Sequence, residues 1–207
     1  MAQAKRKKKF FDVEIPIISK DTHLLAFEIE ELENRHIKYD LSRVLRGKAI
    51  EMQFIIKTEG KKAIAIPKSM RLLPYFLKRA VRKGTNYVED SFSLECKDAQ
   101  IRVKPFLITR RKVSRKVRKN LRNKTKEELT NLLKTKTIQS IFEDSLSNKI
   151  QKTLSMSLKK VYPLSLCELR VLKIEKLFED KSKQETPQKE ETAPTKNEEA
   201  GKTTKKE

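Results

Sequence analysis

Apolar residues occupy every second position from 11 to 17 and again from 50 to 56. A period of two predicts strands whose alternate side chains face a core. Pro16 cannot donate to a strand ladder, so it places the first of these strands near a sheet edge. Glu59-Gly60-Lys61 predicts a turn, and residues 63–67 then form the return arm of a hairpin with the strand at 49–58.

The pattern lengthens to that of a helix between Pro74 and Gly84. Proline suits the first turn of a helix, and glycine suits the position just past its end. Apolar residues share one face of this segment, and the basic residues fall mostly on the other. Residues 87–96 and 100–108 return to a period of two, which predicts a second hairpin that turns at 97–99.

The second half of the chain is predicted to be mainly helical. Val113, Val117 and Leu121 recur every four residues, which indicates one apolar stripe on a helix from about 112 to 134. Thr125-Lys126-Glu127-Glu128 matches a capping box, so a helix could instead restart there. We expect one long helix.

A further helix is predicted where Ile150, Leu154, Leu158 and Val161 form a stripe that ends before Pro163. Residues 166–174 then indicate a final strand. This strand must pair back with the first sheet, because an isolated strand is not stable.

The predicted fold class is α+β. An antiparallel, barrel-like N-terminal half with one helix precedes a basic helical C-terminal half, whose last strand returns to the first sheet. The expected organisation is a basic disordered arm over 1–9, a β-rich barrel-like domain over 10–109, a helical nucleic-acid-binding region with the returning strand over 110–178, and a disordered charged tail over 179–207. The tail is expected to be disordered because it has almost no large apolar residue to bury.

The distribution of charge indicates the partner. The 207-residue chain has a net charge of +21, and residues 1–178 hold 42 basic and 20 acidic residues. Residues 99–126 contain twelve Lys or Arg and no Asp or Glu. Such a density of like charge repels itself unless a polyanion neutralises it, and neutralising a phosphate backbone releases condensed counterions. The sequence therefore predicts nucleic-acid binding.

Three basic segments could make these contacts: a terminal arm, one face of the first helix, and the long helix with the residues that lead into it. The candidate nucleic-acid-binding residues are Lys5, Arg6, Lys7, Lys8 and Lys9 of the arm, Lys78, Arg79, Arg82 and Lys83 of the first helix, and Arg110, Arg111, Lys112, Arg115, Lys116, Arg118, Lys119 and Arg122 of the long helix.

Each segment also has an ordinary interpretation as a solvated surface. The face at 78–83 could serve solubility alone. The segment at 110–126 fits that interpretation poorly, because a solvated helix normally interleaves acids that pair with its bases. A membrane-surface peptide would need more large apolar residues than the three on this stripe. The arginines favour phosphate, since their planar forks bind its oxygens in pairs.

No catalytic, metal or cofactor site is predicted. His23 and His36 have no motif neighbours, and Cys96 and Cys167 are expected to be small buried side chains in a reducing compartment. Gly201-Lys202-Thr203 lacks the earlier glycine of a phosphate-binding loop. We also expect neither secretion nor membrane insertion, since no apolar run approaches the ~18 residues of a spanning helix.

Two blocks of sequence resemble a known family. Residues 101–109 (IRVKPFLIT) followed by a basic helix, and 161–164 (VYPL) followed by LRVLKI at 169–174, resemble the archaeal and eukaryotic small-subunit ribosomal proteins called S-three-a-e or e-S-one. A weaker match begins at Asp40-Leu41-Ser42. The resemblance covers roughly residues 10–177 and is closer to archaeal members.

The resemblance implies a structural protein of the cytoplasmic small ribosomal subunit that binds ribosomal RNA and supports translation. It further implies a place on the platform, near the messenger exit and beside other platform proteins. An alternative is a basic DNA-binding or chromatin-type protein, which should show a compact recognition helix or dimer symmetry. A nucleic-acid-modifying enzyme would need a catalytic constellation, and none is found.

Overall fold

The computed structural model describes residues 7–45, 47–60 and 62–178. Within these residues the chain forms nine strands and four helices. The strands are β1 (Lys9–Ile15), β2 (Lys20–Ala26), β3 (His36–Asp40), β4 (Ile50–Glu59), β5 (Lys62–Leu72), β6 (Tyr87–Glu89), β7 (Phe92–Glu95), β8 (Ala99–Thr109) and β9 (Leu164–Leu177). The helices are α1 (Pro74–Ala80), α2 (Arg115–Lys134), α3 (Ile138–Leu146) and α4 (Lys149–Lys159), and a 3-10 turn covers Ile29–Leu32.

All nine strands belong to one sheet, in the order β2-β1-β5-β9-β8-β6, with β4 pairing β5 and β3, and β7 pairing β8. The α+β class is confirmed. The barrel-like description is not: the sheet is open, and no ladder among the described strands joins its two ends. The sheet is not purely antiparallel either, because β1 and β5 pair in parallel at Val13–Ala63 and Glu14–Ile64.

The first strand was predicted near a sheet edge, and β1 is the second strand in the sheet order. β1 lies between β2 and β5, so β2 is at the end of the sheet order. Pro16 is accommodated because it follows the last residue of β1 and begins the turn to β2. The proline therefore ends the strand and does not interrupt a ladder.

The hairpin of β4 and β5 is confirmed, and its buried face is the predicted one: Met52, Phe54 and Ile56 are fully buried. β5 continues beyond the predicted arm, to Leu72. Its extension passes Pro67, which lies opposite Phe54 at a shift of register. Such a bulge absorbs a residue that cannot donate to the ladder.

The second hairpin is also confirmed, with one difference. The strand predicted at 87–96 is divided at Asp90 and Ser91 into β6 and β7, and both pieces pair with β8. The predicted return of the last strand is confirmed too, since β9 pairs antiparallel with β8 along its length and with β5 at 171–173. The pairing of β9 with β5 therefore joins the second half of the chain to the sheet of the first half.

The helix predicted at 74–84 is shorter in the structure. α1 ends at Ala80, and Val81 is already extended. Gly84 lies in the turn to β6 with φ of +84°, a conformation that favours glycine. α2 runs without interruption through residue 125, because the Thr125 hydroxyl donates to the Leu121 carbonyl at 2.6 Å and does not cap a new helix.

Helices α3 and α4 complete the core. α4 has the predicted stripe, with Ile150, Leu154 and Leu158 buried. The separate helix α3 was not predicted; it buries Ile141 and Phe142. None of the described helices is both long and apolar enough to cross a membrane.

Candidate nucleic-acid interface

The basic helix α2 is held by one face and leaves the rest of its circumference to solvent. Its buried residues are Leu121, Thr125, Leu129 and Leu133, at intervals of four, and they face α4, β6 and β7. The Ser114 hydroxyl caps the helix by accepting from the Val117 amide at 3.4 Å. The stripe predicted from 113, 117 and 121 is thus displaced toward the C-terminus, because residue 113 precedes the helix.

Asn86 and Thr109, which the sequence pattern did not single out, fix the turn into α2 by hydrogen bonds. The Thr109 amide donates to the Asn86 carbonyl at 2.9 Å, and the Val113 amide donates to Asn86 Oδ1 at 2.8 Å. The Thr109 hydroxyl, which is fully buried, donates to the Arg111 carbonyl at 2.8 Å. These bonds hold residues 110–113 in place between β8 and α2, so three basic side chains project from an ordered turn.

Among the described residues, six lysines and arginines outside this segment form ion pairs with carboxylates of the same molecule. The ion pairs are Lys48–Glu168, Arg71–Glu51, Arg102–Glu175, Lys136–Asp144, Lys149–Asp144 and Arg170–Glu89. By contrast, none of the eight candidates between Arg110 and Arg122 forms an ion pair with a described residue. Seven of the eight are exposed and Arg118 is half-buried. The positive charge of α2 is therefore available to an external anion.

A depression runs beside α2 toward α1. Its first part, about 530 Å³, is lined by Asp90 and by Arg115, Arg118, Lys119, Arg122 and Asn123. A second part, about 400 Å³, adjoins it at Arg118 and Arg122 and extends to Asn86, Tyr87, Glu89, Thr85 and Val81. A third, about 560 Å³, shares Val81, Tyr87 and Glu89 and is lined further by Pro74, Leu77, Lys78, Phe106 and Arg170.

This depression brings one candidate of the first helix together with those of α2. Lys78 lines the third part, whereas Arg79, Arg82 and Lys83 are exposed but are not among its lining residues. The Arg79 guanidinium lies 5.9 Å from the centre of the Phe76 ring. The Nε atom of Arg118 is buried at the base of α2 and has no hydrogen-bond partner among the described residues.

The N-terminal arm begins at the other end of the sheet. Lys7, Lys8 and Lys9 precede or begin β1, and three strands separate β1 from β6 in the sheet order. The Lys8 ammonium lies 5.3 Å from the centre of the Phe27 ring. Lys5 and Arg6 lie outside the described residues, as does the tail predicted at 179–207.

His23 and the two cysteines, which were also considered in the sequence, lie apart from the residues that line the depression beside α2. His23 donates to or accepts from Asp12 at 2.5 Å across the β1–β2 hairpin, and both side chains are exposed. Cys96 and Cys167 are free and buried, as predicted, and burial raises the pKa of Cys167 to about 12. Within the described part of the chain, no group of three or more His, Cys, Asp or Glu residues could hold a metal ion.

Comparison with known proteins agrees with the resemblance seen in the sequence. A model of the Ribosomal S3Ae family matches residues 2–177. No curated protein matches the chain. Members of this family are structural, non-enzymatic proteins of the cytoplasmic small ribosomal subunit. The match favours the ribosomal interpretation over the DNA-binding alternative.

Proposed function

Because the chain belongs to the Ribosomal S3Ae family, we propose that it binds small-subunit ribosomal RNA through α2 and the ordered turn that precedes it. The platform near the messenger exit, beside other platform proteins, is the proposed location, and it rests on the resemblance of the two sequence blocks. The β-rich part at 10–109 would support the RNA-binding part at 110–178, from which α2 projects its basic face.

The observation that carries the proposal is the density of unpaired cations on α2 and the turn before it, where the sequence has no Asp or Glu between residues 99 and 126. Six Lys or Arg residues elsewhere pair with carboxylates, whereas the eight from Arg110 to Arg122 pair with no described residue. Five of these eight are arginines, whose forks bind phosphate oxygens in pairs. The phosphates of RNA would neutralise these cations, which no described carboxylate neutralises.

The other candidates would extend this surface in two directions. Lys78 lines the third part of the depression and Arg118 lines the first two, so a strand of RNA seated on α2 and running along the depression would contact both. Arg79 in the last turn of α1, and Arg82 and Lys83 just after it, would add to this basic surface. The arm at Lys5–Lys9 would contact RNA separately, because it begins at the opposite end of the sheet.

The test replaces Arg110, Arg111, Arg115, Arg118 and Arg122 by Gln, which removes five charges and keeps good helix propensity. Affinity for small-subunit RNA should fall by several kcal/mol in total, since each charge-assisted contact contributes about 1.5–3 kcal/mol before non-additivity. In a cell the variant should stay soluble yet leave the small-subunit peak on sedimentation. Circular dichroism and melting should remain close to those of the wild type, because four of the five side chains are exposed and only Arg118 is half-buried.

A matched control replaces five lysines of strands β2 to β5 by Gln: Lys20, Lys38, Lys57, Lys62 and Lys68. This control removes the same charge from a surface away from α2 and should still enter the subunit. Normal incorporation of the arginine variant would refute the role of α2. Equal loss by both variants would show that net charge, and not this surface, determines binding.

A further inference from the structure

We propose that Tyr87 and the concavity beside it form a stacking site for a single unpaired RNA base. The inference rests on the proposed function, since it adds a base contact to the phosphate surface of α2. It concerns a different kind of interaction, however, because stacking recognises the flat face of a base and charge alone does not supply it.

Tyr87 is an aromatic residue held in an exposed position. It is 56% exposed, although it lies in β6 and pairs with Ile108 of β8. Its ring stacks on Phe106, with 6.2 Å between the ring centres and 25° between the planes. Phe106 is only 2% exposed. The buried ring therefore fixes the orientation of the exposed one, so a base that stacks there does not have to immobilise a mobile side chain.

The concavity next to Tyr87 suits a flat apolar ligand. Pro74, Leu77 and Val81 form its apolar wall, and Val81 is 39% exposed. Its volume of about 560 Å³ exceeds that of one base. Glu89 also lines it, but the Arg170 guanidinium donates to this carboxylate at 2.8 Å. The pair offsets the one negative charge that would repel a nucleotide from this part of the depression.

The charges around the concavity select a nucleotide over an apolar protein segment. Tyr87 also lines the adjoining part of the depression, which Arg118 and Arg122 border, and Lys78 lines the concavity itself. A nucleotide combines a flat ring, which can stack on Tyr87, with an adjacent phosphate, which can pair with a cation. The nearer arginines could bind that phosphate while the base lies against Tyr87.

The chain contains no tryptophan, so Tyr87→Trp places a single indole at the site. With the full-length protein, a single-stranded 12-nucleotide oligoadenylate should quench the indole emission, because its bases can stack on the ring. A 12-base-pair RNA duplex and a heparin fragment carry phosphate or sulfate without an available base, and should leave the emission unchanged. Tyr75→Trp is the control: Tyr75 is similarly exposed, at 54%, but does not line the depression. Its indole should respond to none of the three probes.

A second variant measures the contribution to affinity. Tyr87→Leu should bind the oligoadenylate about 5- to 100-fold more weakly, as expected for loss of one stacked base, and the duplex with affinity changed by less than about two-fold. Tyr87→Phe keeps the ring and should bind as the wild type does. If Tyr87→Leu does not fold, the indole response alone decides.

The outcomes separate this inference from the proposed function. If the five-arginine variant loses both RNA probes while Tyr87→Leu keeps full affinity for the oligoadenylate, the phosphate surface stands and the stacking site is refuted. If the wild type binds neither RNA, the proposed function itself fails. Quenching by heparin as strong as that by oligoadenylate would overturn the stacking site. An acidic apolar peptide serves as a fourth probe, and the stacking site would also be overturned if this peptide quenched the emission and oligoadenylate did not.

Discussion

At the scale of single residues, the basic side chains divide by whether the fold provides them with a carboxylate. Lys136 donates to Asp144 at 2.5 Å, and Lys149 approaches the same carboxylate at 3.6 Å. Each of these cations is tied to the junction of α2, α3 and α4. Arg115 and Arg122, on the exposed face of α2, have no such partner among the described residues. Basic side chains thus pair with a carboxylate of the fold in one place and project unpaired into solvent in the other.

The Asp144 carboxylate yields a prediction about pH. Its pKa lies below the usual value, chiefly because Lys136 donates a hydrogen bond to it, with smaller contributions from the charges of Lys136 and Lys149 and an opposing one from burial. A pKa lowered by folding contributes stability that is present above the unfolded-state pKa, about 4, and is lost as the pH falls through the folded-state pKa.

Asp144→Asn should therefore lower the free energy of unfolding at pH 7 by about 1–2 kcal/mol, since a hydrogen bond between charged groups is lost at a partly buried site. The difference from the wild type should shrink below about pH 4. Urea unfolding at pH 7 and pH 3 measures it. Glu143→Gln, at the exposed neighbouring position, is the control and should change little. A constant difference at both pH values would contradict the ionic origin of the effect.

Single residues also show what the sequence could and could not predict. Burial of Cys96 and Cys167 followed from their apolar surroundings, because such surroundings indicate a core. The role of Asn86 did not follow, because its partners Thr109 and Val113 lie more than twenty positions away along the chain. An isolated Asn between two predicted elements gives no local signal of the turn that it fixes. A contact of this kind is created only when the strands pair.

At the scale of elements, β9 joins the two halves of the chain. It pairs with β8 along most of its length and with β5 at 171–173. Its register relative to β8 shifts three times but is regular from 166 to 169. There Cys167, Glu168 and Leu169 are buried in succession, so both faces of the strand are covered, and Glu168 pairs with Lys48. The apolar residues predicted a strand, and its place followed from the rule that a strand needs partners. The shifts themselves depend on the neighbouring strand, which includes Pro105.

Leu169→Asp tests this role of β9. Leu169 is 1% exposed, so an aspartate there would place an unpaired charge in the core and should lower the free energy of unfolding by several kcal/mol. Thermal melting should show a large decrease or no cooperative transition. Lys173→Asp, at an exposed position of the same strand, is the control and should melt close to the wild type. If both variants melt alike, β9 does not belong to the core.

The elements that were not predicted are short. β2, β3 and α3 span seven, five and nine residues. A nine-residue helix is marginal in isolation, so α3 depends on burying Ile141 and Phe142 and not on its own propensity. The openness of the sheet was equally beyond the sequence, because alternation along a strand is the same in a barrel and in an open sheet. Closure depends on which strands become neighbours.

At the scale of the whole molecule, charge is segregated along the sheet. Residues 10–34 contain seven acids and one lysine, and they form the β1–β2 hairpin and the 3-10 turn at one end of the sheet order. The unpaired cations of α2 lie at the other end, beside β6. Apart from the basic arm that leads into β1, a polyanion is attracted to the α2 end and repelled by the acidic hairpin and 3-10 turn, so this distribution would orient the protein on RNA as well as attract it.

The salt dependence of binding tests this distribution. If about 8 to 10 phosphates are neutralised, the logarithm of the affinity for small-subunit RNA should fall with the logarithm of salt concentration at a slope of about −6 to −9. Replacing the five arginines by Gln should make the slope shallower by about 3 to 5, because fewer counterions are then released. Filter binding between 50 and 300 mM salt, roughly the range in which polyanion contacts weaken, would measure both slopes.

Two further variants decide whether the slope comes from α2 or from net charge. Truncation after Phe178 removes eight acids and seven bases, so it should leave folding and the slope unchanged.

The double variant Glu30→Gln with Glu33→Gln raises the net charge by two at the acidic end, remote in the sheet order from α2. If phosphates contact only the α2 end, this double variant should also keep the wild-type slope, because counterion release counts contacts and not total charge. A steeper slope would mean that RNA reaches the acidic end as well. A wild-type slope shallower than about −3 would show that the charge of this protein is not used against phosphate.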